Sequence, residues 1–322
     1  MNTKRNIPYI TLLQAFAFLC VVLGHALSLY SRTGWYRHWH YVPTLHHINQ
    51  VIYNFHMPLF FFLSGFLLFK TTQGIFSWFA YNKKRFNRLI ITYYLAGIFY
   101  CIPAKAYINP LKSGQPLEEM SYLFLTLKYP DYLWFLISLF FTSLAFTTFI
   151  KTPLRKYPWL LIILFIIFNQ FPQYLGLHEM FVRKVMINLI YFYLGYLCAQ
   201  HLDTIIKYIN IKSICLLLIA AFISFCTYYR NLSAALFILF FFALFYNLSQ
   251  HYSKLSEIKI IRFISDNMLL LYIFHEPIMI GTLKAMNYGY SANPYLMALF
   301  LFSFDLIISL NLVYIYRQIK SK

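Results

Sequence analysis

The chain has 322 residues, 61% of them hydrophobic and only 11% charged. Soluble domains carry roughly a quarter charged residues, so a soluble globular domain is excluded, and the length leaves no room for a large one beside membrane helices. The net charge of +18 would suggest nucleic acid in a soluble protein. Here the basic residues lie in short loops between apolar runs, the pattern of topology signals and anionic headgroup contacts, so the expected partner is membrane lipid and not nucleic acid.

Apolar runs of about 20 residues mark spanning helices. They fall near 8–30, 51–69, 87–104, 132–150, 158–171, 185–200, 213–229, 232–249, 264–284 and 295–316. This predicts an all-α integral membrane protein, a bundle of about ten helices forming a single domain over 1–322. The fifth and sixth runs are short enough to tilt or re-enter. The first is too long for a cleavable signal, and no small-x-small site follows it. No internal repeat, low-complexity tract or linker interrupts the series.

Lys and Arg set the orientation. One side carries Lys4, Arg5, Lys70, Lys83, Lys84, Arg85, Arg88, Lys151, Arg155, Lys156, Lys207, Lys212, Lys254, Lys259, Arg262, Arg317, Lys320 and Lys322, about two thirds of the 27 present. The positive-inside rule makes that side cytoplasmic and puts both termini there, as an even helix count also requires. The two longest loops, about 31–50 and 105–131, are then outside. The second holds turn chemistry in Asn109-Pro110, Ser113-Gly114 and Pro116. The five cysteines (Cys20, Cys101, Cys198, Cys215, Cys226) form no C-x-x-C pair and read as small buried hydrophobes.

Ionisable groups inside spans are costly and mark functional candidates. Here they are His25, His56, Asp266, His275, Glu276 and Asp305, most of them expected to face the bundle interior. His25, in VVLGHAL, lies roughly 22 Å along the first helix from its cytoplasmic end, hence in the outer half. His56 opens the second helix on the same side. Two readings stay open for both: interfacial histidines bonded to backbone, or a general base near neutrality. His275 and Glu276 sit mid-span in LLLYIFHEPIM, where Pro277 should kink the helix by sparing the carbonyl of Ile273. Tyr272 and His275 share a face. Such a pair beside a kink suggests a cavity, although Glu276 could equally pair with another buried polar group.

The stretch KKRFNRL, with Lys84 among its basic groups, puts Arg85 and Arg88 on one helical face. Such a fork suits phosphate, and it suits plain topological anchoring as well. The outer loop 31–49 carries Trp35, Tyr36, His38, Trp39, His40, Tyr41, His46 and His47. With no Cys or acid nearby it reads as interfacial aromatics, with sugar stacking an option, and no metal site is expected.

Taken together these residues resemble the acyltransferase 3 family of multi-spanning bacterial acyltransferases. YITLLQAFAFLCVVLGH is similar to its first-helix motif, and FHMPLFFFLSGFL to its second-helix signature, the strongest match. KKRFNRLI resembles its R-x-x-R element, DYLWFLISLFF its tryptophan-bearing fourth helix, and ISDNMLLLYIFHEPI its late S-x-x-x-Y-x-x-H stretch. The five occur in the family's order over residues 5–278. The resemblance implies transfer of an acyl group, usually acetyl, from cytoplasmic acyl-coenzyme A to a carbohydrate hydroxyl, in a bacterial plasma membrane. The subgroup it points to is that of fucose-4-O-acetylase-like and polysaccharide-modifying members. His25 then matches the essential histidine, Arg85 and Arg88 the functional arginine pair, and Trp134 the fourth-helix tryptophan. Gln14 stands where the family usually has Arg or Lys, able to donate hydrogen bonds but bringing no charge.

A sugar hydroxyl needs a base near pKa 7 and donors for the developing oxyanion. The expected catalytic residues are therefore His25, His275 and Glu276. Arg85, Arg88, Lys84 and Gln14 are expected to bind the acyl-coenzyme A, and His56, Ser64, Trp134 and Tyr272 to support substrate or structure. Acyl-coenzyme A enters as a substrate, with no permanently bound cofactor. The competing reading is a transporter or flippase for a glycan precursor or small polar solute, which mid-membrane charges and a proline-kinked helix also suit. A third is a catalytically silent membrane partner of an enzyme.

Overall fold

A computed structural model describes residues 7–31, 41–72, 77–103, 131–170, 181–286 and 293–321. The described chain is 91% helical with no strands. Its principal helices are α1 (Pro8–Ser28), α2 (Pro43–Thr71), α3 (Trp78–Ala96), α4 (Trp134–Phe149), α5 (Pro158–Gln170), α6 (Phe181–Gln200), α7 (Ile211–Cys226), α8 (Arg230–His251), α9 (Lys259–Ala285) and α10 (Pro294–Ser321).

Local chemistry explains where they begin and end. α1, α2, α5 and α10 each open on a proline, whose fixed φ suits the first turn and whose missing N–H would be unpaired there anyway. The side chain of Asn293 accepts from the backbone N–H groups of Tyr295 and Leu296, capping α10. A reciprocal box between Asn210 and Ser213 starts α7. α7 ends in a tight reversal. Tyr229 N donates to Ser224 O at 3.0 Å and Tyr228 N to Phe225 O at 3.2 Å. These are the two bonds of a Schellman motif, with Tyr228 at φ 64° where glycine is usual. α3 passes directly into a π-helical segment, Gly97–Cys101.

Two compact units divide the chain at Met57/Pro58 and Lys207/Tyr208. The first holds α1, the opening half of α2 and α7–α10; the second holds the rest of α2 and α3–α6. In the first, α1 is the buried centre, packed on α8, α9 and α10. In the second, α2 and α6 cross with backbones in contact. A Cβ on Gly65 would lie 1.8 Å from Phe192 O, and one on Gly195 would lie 1.9 Å from Phe62 O. Glycine is required at both, the small-residue device by which membrane helices approach closely. Phe146 of α4 fills the remaining space against Phe192, Tyr193 and Tyr196.

Six helices among the described residues are long and apolar enough to cross a membrane: Pro8–Ser28, Pro43–Thr71, Val182–Gln200, Arg230–His251, Lys259–Ala285 and Pro294–Lys320. A seventh span arises if Leu202–Tyr208 and Ile211–Cys226, bent by 93°, count as one. The protein is a multi-pass membrane protein, and its outward apolar faces agree: Leu216, Ile219, Phe222 and Ile223 of α7 are all exposed, a stripe that water would not tolerate.

Among the described residues six or seven spans thus qualify, fewer than the ten runs read from the sequence. α4, at 16 residues, reaches only about 24 Å against a hydrocarbon core of about 30 Å, and the 13 described residues of α5 about 20 Å. α3 starts at Trp78 rather than near 87, so its first half contains the basic cluster. α2 starts at Pro43 rather than 51, so Leu45–Gln50, expected in a loop, are helical. α9 continues through Pro277 to Ala285. Asp266, one of the ionisable groups placed within a span, is exposed two turns into α9, because that helix begins at Lys259 and not near 264. Cys215 and Cys226 are exposed on α7, whereas Cys20, Cys101 and Cys198 are buried as expected. Lys4, Arg5, Trp35, Tyr36, His38, Trp39, His40 and most of loop 105–131 lie outside the described residues.

Candidate active site

The first unit brings three of the expected residues together. His25 occupies the last turn of α1. Its Nδ1 lies 3.9 Å from Glu276 Oε2, and its ring meets that of His275 edge to face at 5.0 Å between centroids. One donor atom from each of the three lies within 4.8 Å of the others. His275 is fully buried and Glu276 nearly so, while the His25 side chain keeps 21% of its surface exposed.

Each ring is oriented by backbone. His275 Nδ1 donates to Tyr272 O at 2.7 Å, and His56 Nδ1 donates to Ile52 O at 2.8 Å. A carbonyl only accepts, so both imidazoles carry the Nδ1 proton when neutral and present Nε2 as an acceptor. Tyr272 also places its ring 5.5 Å from that of His275, the shared face expected from their spacing. His56 is buried and joins the group through Tyr53, whose ring is 4.9 Å from His56 and 6.3 Å from His25.

Two residues that sequence reasoning missed hold His25 in place. Asn49 of α2, buried, donates from Nδ2 to Gly24 O at 2.8 Å. It thereby adds a second donor to a carbonyl just before the last turn of α1 and ties α2 to that turn. Tyr53 packs on the same turn, and a Cβ added to Gly24 would meet its ring at 3.1 Å. Asn49, Tyr53 and His56 follow i, i+4, i+7 spacing and share one face of α2. That signal is in the sequence once the helix is taken back to Pro43.

Of the other polar residues in this unit, Gln14 is committed to packing. Its Oε1 accepts from Ser265 Oγ at 2.7 Å, tying α1 to α9. Asp305 is buried on α10, and its Oδ1 accepts from Ser309 Oγ.

The second unit holds the basic cluster. Arg85 Nη1 donates to Tyr81 OH at 3.1 Å, and Tyr81 OH meets Ser143 Oγ of α4 at 3.4 Å. Asn82 Nδ2 donates to Thr147 Oγ1 at 3.2 Å, so a polar seam fixes α3 against α4. Arg85 Nε is buried without a hydrogen-bond partner, a donor of the kind that an anionic ligand satisfies. Trp78, one turn before Tyr81, likewise has its Nε1 buried and unmatched. Lys151 Nζ sits 5.6 Å from the Trp78 ring. Trp78 was not singled out from sequence, and Lys151 was read there only as a topology charge. Lys84 and Arg88 are exposed on α3.

A family model described as an acyltransferase domain matches residues 7–314. The chain belongs to the acyltransferase 3 family. No curated protein and no solved structure matches it. Because the match covers nearly the whole chain, this acyltransferase has both units inside the family's domain, and the His25 and Arg85 constellations fall within it. Trp134 of the acyltransferase opens α4 beneath Lys184, whose Nζ is 4.6 Å from the ring. Ser64 is half-buried on α2, one residue before the Gly65 crossing.

Proposed function

We propose that this membrane acyltransferase moves an acyl group, in the first instance acetyl, from acyl-coenzyme A to a hydroxyl of a cell-surface carbohydrate or its lipid-linked precursor. The observation that carries the reading is the His25–Glu276 approach at 3.9 Å within a chain of this family. At that distance it is not a hydrogen bond, but the carboxylate favours the His25 tautomer with its proton on Nδ1. Nε2 is left to take the acceptor's proton, the division of labour of a histidine–carboxylate pair.

The chemistry then balances. His25 Nε2 removes the hydroxyl proton as the oxygen attacks the thioester carbonyl. The tetrahedral intermediate collapses, the C–S bond breaks, and the departing coenzyme A sulfur takes the proton back from His25. The new bond is an ester. Glu276 stabilises the imidazolium that exists between those two transfers, and His275 braces the ring of His25 from the side.

The donor's phosphates are assigned to Arg85 and Arg88, with Trp78 and Lys151 adding a donor and a charge on the same side of α3. The unmatched Nε of Arg85 supports this assignment over plain anchoring, which needs no buried donor. The family resemblance points to a bacterial plasma membrane, and the charge distribution supports cytoplasmic placement of both termini. The acceptor class follows the polysaccharide-modifying subgroup that the motifs resemble.

The test is acyl transfer from labelled acetyl-coenzyme A to glycan in membranes of a strain lacking the native gene, with protein amounts matched. His25→Ala and His25→Gln are expected to lose about 10²–10⁴-fold in rate while inserting normally. Activity within a few-fold of the parent would remove His25 as the base and with it this mechanism.

A further inference from the structure

The same three side chains compose a second kind of site. Two imidazoles and a carboxylate, with donor atoms within 4.8 Å of one another, form a His₂Glu set. That is the set by which zinc is held when three ligands come from protein and a fourth position stays open. Zinc bonds of about 2.0–2.2 Å place ligand atoms roughly 3.3–3.6 Å apart, so a pair at the 4.8 Å limit must close by roughly 1.2–1.5 Å. The surroundings are those of a prepared site. His275 is fully buried and already spends its Nδ1 proton on Tyr272 O at 2.7 Å. That second bond fixes the ring and leaves Nε2 to coordinate, the arrangement found behind metal-bound histidines. Glu276 is adjacent in sequence and nearly buried, so its charge is little screened.

We infer that His25 Nδ1, His275 Nε2 and the Glu276 carboxylate bind one zinc ion, and that the bound ion switches off acyl transfer. The second half rests on the reading of His25 as the base and follows from proton placement. Zinc needs the lone pair of Nδ1, the nitrogen 3.9 Å from Glu276. The imidazole proton must then move to Nε2, which becomes a donor and can no longer accept the hydroxyl proton. The ring keeps its single proton: the Nδ1–H bond breaks, an Nε2–H bond forms, and the freed Nδ1 lone pair makes the bond to zinc. The ion also takes over the Glu276 charge that stabilises the imidazolium. Sequence spacing gave no hint of this set, because His25 and His275 are 250 residues apart and meet only through the packing of α1 on α9.

The experiment uses the full chain in detergent or nanodiscs, purified without a histidine tag. Calorimetric titration with zinc chloride should give one ion per chain, and X-ray absorption on that sample should show two imidazoles and an oxygen donor. Glu276→Gln and His25→Ala should each weaken binding at least 10-fold. His251→Ala, at an exposed histidine on α8, should leave it unchanged. Zinc at saturating concentration should abolish acyl transfer by the parent, and a chelator should restore it. Equal zinc affinity in the parent, Glu276→Gln and His25→Ala would overturn the site, as would a spectrum lacking two imidazoles. Zinc that binds there while transfer is unchanged or faster would overturn the switch. Binding is read without any activity, so failure of the acyltransferase reading, seen as full activity in His25→Ala, is distinguishable from failure of the metal site.

Discussion

The sharpest consequence of the His25–Glu276 geometry is the effect of removing one charge while keeping its shape. Glu276→Gln preserves size and rotamer in a nearly buried position, so the helix packing around it is retained. It deletes the negative charge 3.9 Å from His25 Nδ1. In the resting enzyme His25 is neutral and little is lost. Once the ring holds the acceptor's proton, the full pair attraction at an effective dielectric of 20 is about 4 kcal/mol. A transition state with half the charge developed feels about 2 kcal/mol. Those limits correspond to rate losses of roughly 30-fold and 10³-fold. The loss should fall on kcat, because the carboxylate acts on the reacting proton and not on the donor's phosphates, so KM for acyl-coenzyme A should stay within about twofold. The assay is initial-rate transfer of labelled acetyl to glycan in membranes with matched protein. A Glu276→Gln enzyme within threefold of the parent, or one impaired only in KM, would refute the paired-carboxylate argument.

Three further outcomes are expected. Arg85→Ala or Arg88→Ala should weaken acyl-coenzyme A binding to detergent-solubilised protein by roughly 10- to 150-fold, the equivalent of one lost charge-assisted bond at about 1.5–3 kcal/mol; unchanged binding in both leaves only anchoring. Asn49→Ala should lower stability by about 0.5–1.5 kcal/mol, the net worth of the bond that ties α2 to Gly24 O. It should also slow transfer by loosening the turn that carries His25, whereas Asn49→Asp should fail to rescue because it offers no donor. Single cysteines placed at 83 and 254 should react only with reagents that reach the cytoplasm; labelling from outside would invert the topology.

How much was readable in advance depends on which physical signal carried each feature. Long uniformly apolar helices such as α1 and α8 were legible because their periods are unbroken. The starts of α2 and α3 were not. Their first turns carry His46, His47, Asn49 and Gln50 in one case and Lys83, Lys84 and Arg85 in the other, and a hydropathy reading discards such turns even where they are helical. Asn49 and Tyr53 were lost with them, although both support the turn bearing His25. Rarity in an apolar context identified His25, His275 and Glu276 individually. Their convergence was not legible, because contact between α1 and α9 is a tertiary fact with no local trace. Gln14 shows the reverse limit: its place in a motif suggested the donor, while its bond to Ser265 spends its carbonyl on holding α1 to α9.

The arrangement also bears on the choice between acyl transfer and solute transport. A transport path needs polar groups spaced along the membrane normal, each able to hand on a solute or proton to the next. In the first unit His25, His56, His275 and the Glu276 carboxylate instead gather around one turn. His25 meets His275 and Glu276 directly, and Tyr53 bridges to His56. Asp305 is engaged with Ser309 on its own helix. Backbone carbonyls hold the Nδ1 protons of His56 and His275, which suits groups that keep one tautomer rather than members of a relay that must alternate between two. His25, partly exposed and facing a carboxylate, is the ring free to gain and lose a proton. A single such point is what a group-transfer reaction requires, and it is why the loss on Glu276→Gln should appear in the chemical step.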